Sequence, residues 1–264
     1  MVSFRKWLCS IENVLLPAKC VGCRQLFVYD GASPGTKKEK GLSGSLDFAA
    51  AMARYFCPDC RTHWTEVVSP LCARCGLVFN SRQGEDHLCG RCADRPGAFT
   101  RARCVGIYDQ SLRIAIHALK FKEQSAIAKQ LGDLLLNAFH RYWSAGDIDM
   151  IAPVPLHRRR FKARGFNQAY LLIQRWPLAG KTTLVRDLLV RNRNTASQSG
   201  LNRKQRKTNI KHAFGVKRPG QSKGKRILLI DDVLTTGETA DACARVLLQD
   251  GACQVDVLTL ARTM

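Results

Sequence analysis

Apolar runs in the C-terminal half of the chain alternate between strand-like and helix-like spacing. Residues 227–230 are four consecutive aliphatic residues with no polar break, which predicts a strand buried on both faces of a sheet. Residues 240–248 carry apolar side chains at helical spacing and predict a helix. Two acids and a turn rich in hydroxyl groups separate these segments. The pattern therefore predicts a strand, an acidic pair, a loop and a helix in succession.

The remainder of this half predicts more elements of the same kind. Helices are expected over residues 111–121, 124–143 and 168–176. Strands are expected over residues 103–108, at a sheet edge, and over 148–154, 187–191, 213–216 and 253–259. Residues 192–212 are polar and basic, which is typical of a lid or a disordered loop. Alternating strands and helices predict an α/β domain over residues 100–264, with a parallel sheet flanked by helices.

The N-terminal third is organised by cysteine pairs. After a predicted amphipathic helix over residues 3–16, four C-x-x-C pairs follow, and each pair can direct two thiolates at one metal ion. The eight cysteines are Cys20, Cys23, Cys57, Cys60, Cys72, Cys75, Cys89 and Cys92. They predict a Cys-rich double zinc ribbon over residues 1–95, with two structural Zn²⁺ ions.

The favoured pairing follows sequence order, so that the first two pairs form one site and the last two form the other. The second site has compact spacing, whereas an insert over residues 25–56 stretches the first. Three alternatives stay open for these cysteines. Disulfide bonds are disfavoured because the N-terminus does not resemble an export signal. A thioredoxin-like redox motif would use one C-x-x-C pair, and paired knuckles favour zinc over an iron–sulfur cluster.

The charge of the chain is strongly positive and unevenly distributed. The formal net charge is +21, and residues 151–225 alone carry 19 Lys and Arg residues against one acid, Asp187. Such a balance favours a polyanionic partner or a phosphate-rich ligand, although a solvated surface would have the same composition. No segment reaches the roughly 18 apolar residues of a membrane span. We therefore expect no membrane span and a cytoplasmic location.

The segment after the buried strand has the chemistry of a sugar-phosphate site. Its turn contains Thr235, Thr236, Gly237, Glu238 and Thr239. A glycine-containing turn at the start of a helix offers free N–H groups and the positive end of a helix dipole, which suit a phosphate. Asp231 and Asp232 lie at the carboxyl end of the strand, where open α/β sheets bind ligands. Carboxylates can accept hydrogen bonds from a diol or hold Mg²⁺. A ribose 5-phosphate therefore fits the site, with its hydroxyls at the acidic pair and its phosphate at the turn.

The stretch over residues 227–239 resembles the signature of type I phosphoribosyltransferases, which bind phosphoribosyl pyrophosphate (PRPP) together with Mg²⁺. The resemblance implies a type I phosphoribosyltransferase-like fold, ribose hydroxyls on Asp231 and Asp232, and the 5-phosphate on the Thr/Gly loop. It also implies a pyrophosphate site after the first core strand and a mobile loop over residues 192–212. The candidate anion-binding residues there are Arg158, Arg159, Arg160, Arg164, Gly165, Asn167 and Gln168.

Four features in this order resemble the ComF family of competence-associated proteins. They are the paired C-x-x-C ribbons, the P-V-P-L-H and R-G-F-N-Q segments, the basic stretch and the PRPP-type motif. The resemblance implies a role in DNA uptake or in the use of imported DNA. It also implies partners such as single-stranded DNA and a competence helicase or another DNA-processing protein.

Two functional hypotheses from different classes follow. The first is a phosphoribosyltransferase that transfers a pentosyl group from PRPP. The second is a non-catalytic module that binds single-stranded DNA or nucleotides. A third hypothesis, a regulator that senses PRPP, ranks last because no helix-turn-helix for reading DNA is evident.

Overall fold

The computed structural model describes residues 17–29, 47–81, 83–121, 126–144, 146–178, 180–192 and 213–264. The predicted helix over residues 3–16 lies outside these ranges, as does nearly all of the predicted mobile loop. The helices are α1 (Phe48–Ala51), α2 (Pro58–Thr62), α3 (Gly90–Asp94), α4 (Gln110–Leu119), α5 (Ala128–Tyr142), α6 (Arg158–Arg164), α7 (Gln168–Ile173) and α8 (Glu238–Gln249). The strands are β1 (Ala18–Lys19), β2 (Leu26–Phe27), β3 (Ala102–Ile107), β4 (Met150–Pro153), β5 (Thr183–Leu184), β6 (Leu189–Arg191), β7 (Phe214–Val216), β8 (Arg226–Leu234) and β9 (Gln254–Arg262).

A parallel sheet of five strands forms the centre of the fold, in the order β3-β9-β8-β4-β5. The four aliphatic residues from Ile227 to Ile230 are fully buried in β8. Alternate side chains point to opposite faces of a strand, so Leu228 and Ile230 pack on one face while Ile227 and Leu229 pack on the other. This arrangement confirms the predicted strand buried on both faces.

Helices cover both faces of the sheet. The face that includes Leu228 packs against apolar side chains of α4, α5 and α7. The opposite face packs against α8 and the β6–β7 hairpin. A parallel sheet covered in this way is an α/β layer structure, and the prediction of fold class is confirmed.

The two cysteine segments pack on opposite sides of the sheet. The first ribbon, residues 17–29 and 47–62, places Phe48, Met52 and Phe56 in the same core as α4 and α5. The second ribbon, residues 71–95, shares a core with α8 through its four cysteines. The predicted division between residues 95 and 100 stays a prediction, because apolar packing is continuous across it.

Three elements differ from the sequence prediction. The expected strand over residues 187–191 is β6, which pairs antiparallel with β7 and lies outside the central sheet. The arginine-rich segment expected as a loop contains helix α6. Strand β8 continues through the acidic pair to Leu234 because β9 runs beside it as far as Arg262. Within the described ranges, no helix is long and apolar enough to cross a membrane.

Candidate functional site

The eight paired cysteines form two clusters in the predicted sequence order. Cys20, Cys23, Cys57 and Cys60 form the first cluster, and Cys72, Cys75, Cys89 and Cys92 form the second. In each cluster, the four sulfur atoms lie within 4.8 Å of one another. A tetrahedral zinc site with Zn–S bonds of about 2.3 Å would separate its sulfurs by about 3.8 Å. The distances of 3.7 Å between Cys23 and Cys57 and 3.8 Å between Cys75 and Cys89 fit that geometry.

Backbone N–H groups favour the thiolate form of one cysteine in each cluster. Burial by itself would raise the pKa of Cys20, but hydrogen bonds from backbone amides, including that of Cys57, lower it to about 7. The same balance of burial and backbone donors, including the amides of Cys75 and Cys89, lowers the pKa of Cys72 to about 6. Burial raises the pKa of Cys60 and of Cys92 in the same clusters, so a bound cation would be needed to hold all four sulfurs as thiolates. The spacing of the sulfur atoms suits both clusters to a divalent metal ion.

A cleft of about 210 Å³ opens at the carboxyl ends of the central strands. Such an edge is where ligands bind in open α/β sheets. Its lining combines acidic, basic and hydroxyl side chains with apolar residues of β8, β9 and the segment that follows β4. The polar and charged lining residues are Arg160, Gln168, Arg191, Asp231, Asp232, Thr235, Thr239 and Thr259.

The acidic pair reaches the cleft because the neighbouring strand is shorter than β8. Strand β4 pairs with β8 only as far as Ile230, so Asp231 and Asp232 extend beyond its end. Burial and the adjacent Asp232 carboxylate raise the pKa of Asp231 well above its usual range. The Lys120 ammonium lies 3.0 Å from the Asp232 carboxylate and neutralises it. Both effects reduce the negative charge of the pair.

The hydroxyl-rich loop joins β8 to the N-terminus of α8. Gly237 precedes the helix with a φ angle of 80°, a left-handed conformation that favours glycine. The hydroxyl of Thr236 is buried and has no hydrogen-bond partner among the described residues. Thr235, Gly237 and Thr239 line the cleft, whereas Thr236 and Glu238 are not part of its lining. The N–H groups at a helix start, with hydroxyl groups beside them, can bind an anion.

Helices α6 and α7 form the opposite wall of the cleft. Arg160 and Gln168 line it, and Arg164 donates a hydrogen bond of 2.7 Å to the Gln168 side chain. Burial lowers the pKa of Arg164, while the Asp232 carboxylate opposes this change. Gly165 ends α6 in a left-handed conformation.

Three other predicted anion-binding residues of this segment, Asn167, Arg158 and Arg159, do not line the cleft. The Asn167 side chain accepts from the Ala169 amide at the start of α7 and donates to the Val154 carbonyl at the end of β4. It therefore positions the wall of the cleft. Arg158 and Arg159 are exposed on α6 and do not line the cleft.

Two of the polar and charged lining residues, Arg191 and Thr259, were not predicted from the sequence. Arg191 ends β6, where burial and the nearby Arg160 cation lower its pKa. Thr259 on β9 is fully buried and lies opposite Asp231 in the sheet register. The sequence offered one signal for Arg191 as a cleft residue, which is its position at the end of the strand predicted over residues 187–191. With Lys120, Arg160 and Arg164, it makes the cleft cationic around its acidic pair.

Comparisons with known proteins agree with these observations. The model of the phosphoribosyl transferase domain matches residues 164–264. DNA utilization protein YhgH of Escherichia coli (strain K12) is 39% identical over 207 residues, which cover 76% of this chain and 87% of that protein. Competence protein F of Haemophilus influenzae is 31% identical over 197 residues, covering 73% and 85% of the two chains. Competence protein ComFC of Bacillus subtilis is 27% identical over 216 residues, covering 78% and 84%.

Proposed function

The chain belongs to the ComF family of competence-associated proteins, and on this basis we propose that its cleft binds PRPP or a related ribose 5-phosphate together with Mg²⁺. The observation that carries the proposal is one cleft that joins an acidic pair to the N-terminus of a helix. We further propose pentosyl transfer as its activity and a cytoplasmic role in DNA uptake or in the use of imported DNA. The names of the relatives, which refer to competence and DNA utilization, support that role.

The loop between β8 and α8 would hold the 5-phosphate. Backbone N–H groups at the start of α8 and the hydroxyls of Thr235, Thr236 and Thr239 are donors that a phosphate can engage. Thr236 is outside the cleft lining, so its buried hydroxyl, which lacks a partner among the described residues, would have to turn toward the phosphate to donate to it. Glu238 is in the first turn of α8, where its backbone N–H, not its carboxylate, would contribute.

Asp231 and Asp232 would hold the ribose hydroxyls. A carboxyl group with a raised pKa can donate a hydrogen bond, and an ionised one accepts, so the pair can match both roles of a diol. These carboxyl oxygens also suit Mg²⁺, which binds oxygen ligands and usually retains several waters. When bound, Mg²⁺ would neutralise phosphate charge. Because Lys120 already neutralises Asp232, we expect the ion to depend on oxygens supplied by the ligand.

The cationic wall would hold the pyrophosphate group. Arg160, Arg164 and Arg191 can form charge-assisted hydrogen bonds with phosphate oxygens. In the transfer step, an acceptor nucleophile forms a bond to C1 of the ribose. The bond from C1 to the pyrophosphate oxygen breaks, and pyrophosphate leaves with the electron pair. Stabilising that leaving group is the main contribution that these arginines can make.

The two cysteine clusters would each hold one structural Zn²⁺. Four thiolates in a closed site leave no open coordination position for catalysis. Four thiolates and one Zn²⁺ would give each cluster a net charge of −2. In the second cluster, the Arg262 guanidinium donates to the Cys75 sulfur at 3.4 Å and offsets part of this charge.

Isothermal titration of PRPP with Mg²⁺ tests the ligand. We expect the wild type to bind and a D231N/D232N double variant to bind at least tenfold more weakly, because the ribose hydroxyls lose their carboxylate partners. D133N is the matched control, since Asp133 is an exposed acid on α5. Equal binding by the wild type and the double variant would remove the assignment.

Binding of single-stranded DNA without turnover is the second candidate, and the net charge of +21 favours it. This candidate predicts that the affinity for an oligonucleotide falls steeply as salt is raised from about 50 to about 200 mM. The steepness of the fall should correspond to several phosphate contacts. Affinity that does not change over this range would count against it. Release of pyrophosphate from PRPP in the presence of a nucleobase or amine would instead support the transferase.

A further inference from the structure

The second ribbon reaches the loop that begins α8. Arg91 lies in α3, between the ligand residues Cys89 and Cys92. Its guanidinium is so close to the loop that a Cβ atom placed on Gly237 would lie 3.3 Å from Arg91 Nη2. The same Cβ would lie 3.7 Å from the Phe99 ring. A residue of the cysteine module is therefore in contact with the loop that lines the cleft.

Several hydrogen bonds hold this part of the second ribbon against α8. The Arg74 guanidinium donates to the carbonyls of Gly97 (3.0 Å) and Phe99 (3.2 Å) in the segment that follows α3. The Ala98 amide donates to the Asp241 carboxylate in the first turn of α8. These contacts fix the segment that follows α3 against the start of α8, and so hold the helix that carries Arg91 beside the loop.

Arg91 approaches the loop without an ion-pair partner among the described residues, the neighbouring Glu238 included. Among the described residues, its guanidinium has no hydrogen bond or ion pair. Asp241, the nearby acid, is already engaged by Arg245 at 2.9 Å and by the Ala98 amide. The N-terminus of α8 adds a partial positive charge at the same place. Two like charges side by side favour an anion between them, and a guanidinium is well suited to phosphate oxygens.

We propose that Arg91 of the second ribbon is a phosphate-binding residue that completes the 5-phosphate site formed by the loop of residues 235–239. The inference rests on the proposed function, and it gives the ribbon a direct part in ligand binding. The metal cluster then serves to fix the knuckle that carries Arg91. If the second ribbon were instead an independent module, the phosphate site would be complete without any residue of the ribbon.

Calorimetric titrations with ribose 5-phosphate and with ribose, on the full chain, test this role. For R91M we expect at least a tenfold loss of affinity for ribose 5-phosphate, the loss of one charge-assisted hydrogen bond, with no change in any binding of ribose. R91K should recover part of the affinity, since it retains the charge. R95M is the matched control because Arg95 is exposed at the end of the same helix, and it should bind like the wild type. Zinc content measured in every variant should be equal.

The outcomes separate the two proposals. If the wild type binds ribose 5-phosphate and R91M binds it equally well, the role of Arg91 is overturned and the proposed function stands. If the wild type binds neither ribose 5-phosphate nor PRPP, the proposed function fails, and the role of Arg91 fails with it. If R91M loses zinc, the neutral variant R91Q decides: weak binding with full zinc content supports a direct contact, and wild-type binding with full zinc content refutes it.

Discussion

Gly132 lies where helix α5 packs closely against helix α7. A Cβ atom added to Gly132 would lie 2.3 Å from the Leu172 carbonyl oxygen and 3.2 Å from its carbon, whereas ordinary contacts of this kind begin near 3.4 Å. The Trp176 indole also donates a hydrogen bond of 3.1 Å to the Gly132 carbonyl. We therefore predict that G132A separates the two helices, although alanine favours a helix more than glycine does.

The size of the effect follows from these distances. Restoring an ordinary contact requires the helices to move apart by about 1 Å, and an overpacked core of this kind costs roughly 1–3 kcal/mol. Weakening the bond from Trp176 adds about 1 kcal/mol, and the better helix propensity of alanine returns about 1 kcal/mol. We expect the free energy of unfolding to fall by about 2 kcal/mol. Because α7 begins at the cleft residue Gln168, ligand affinity should also fall.

Urea denaturation followed by circular dichroism, with zinc in the buffer, measures this change. The control is N137A, which replaces an exposed residue on α5 and should leave stability unchanged or slightly higher. A G132A variant that is as stable as the wild type would show that the two helices do not pack as closely as described. That result would also remove the expected link between this packing and the cleft.

Two further predictions concern the metal clusters and an ion pair. C57S and C89S should each lower bound zinc from two equivalents to one by mass spectrometry of the metal, since each removes a ligand from a different cluster; loss of both ions from one variant would contradict independent sites. Hydrogen bonds from the Arg226 side chain and amide lower the pKa of Asp149 to about 2. This stabilisation is complete above the usual pKa of an aspartate and is lost only as the pH falls toward 2. The free energy of unfolding of D149N should therefore be about 1 kcal/mol below that of the wild type. The difference should be the same at pH 8 and at pH 5.5. A difference that is smaller at pH 5.5 would contradict the assignment.

Much of the fold could be predicted because its central elements have simple patterns. The uninterrupted aliphatic run of β8 is buried on both faces, and the spacing of the cysteines predicted both clusters. The antiparallel β6–β7 hairpin was not predictable in the same way. A short apolar run predicts a strand, but its partner depends on contacts between distant segments.

The candidate site could be predicted in part. The acidic pair and the Thr/Gly loop lie along one strand–loop–helix unit, so their proximity follows from local sequence. The cationic wall depends on helix geometry, because α6 directs Arg160 toward the cleft and leaves Arg158 and Arg159 exposed. The approach of Arg91 depends on how the second ribbon packs against α8, which no local pattern records.

A crystal structure of the protein with ribose 5-phosphate and Mg²⁺ would test the central claim most directly. The account predicts the phosphate within hydrogen-bond distance of the backbone N–H groups of residues 235–239, with the sugar hydroxyls on Asp231 and Asp232. A phosphate bound at another surface, or an empty cleft at a ligand concentration that saturates binding in solution, would contradict it.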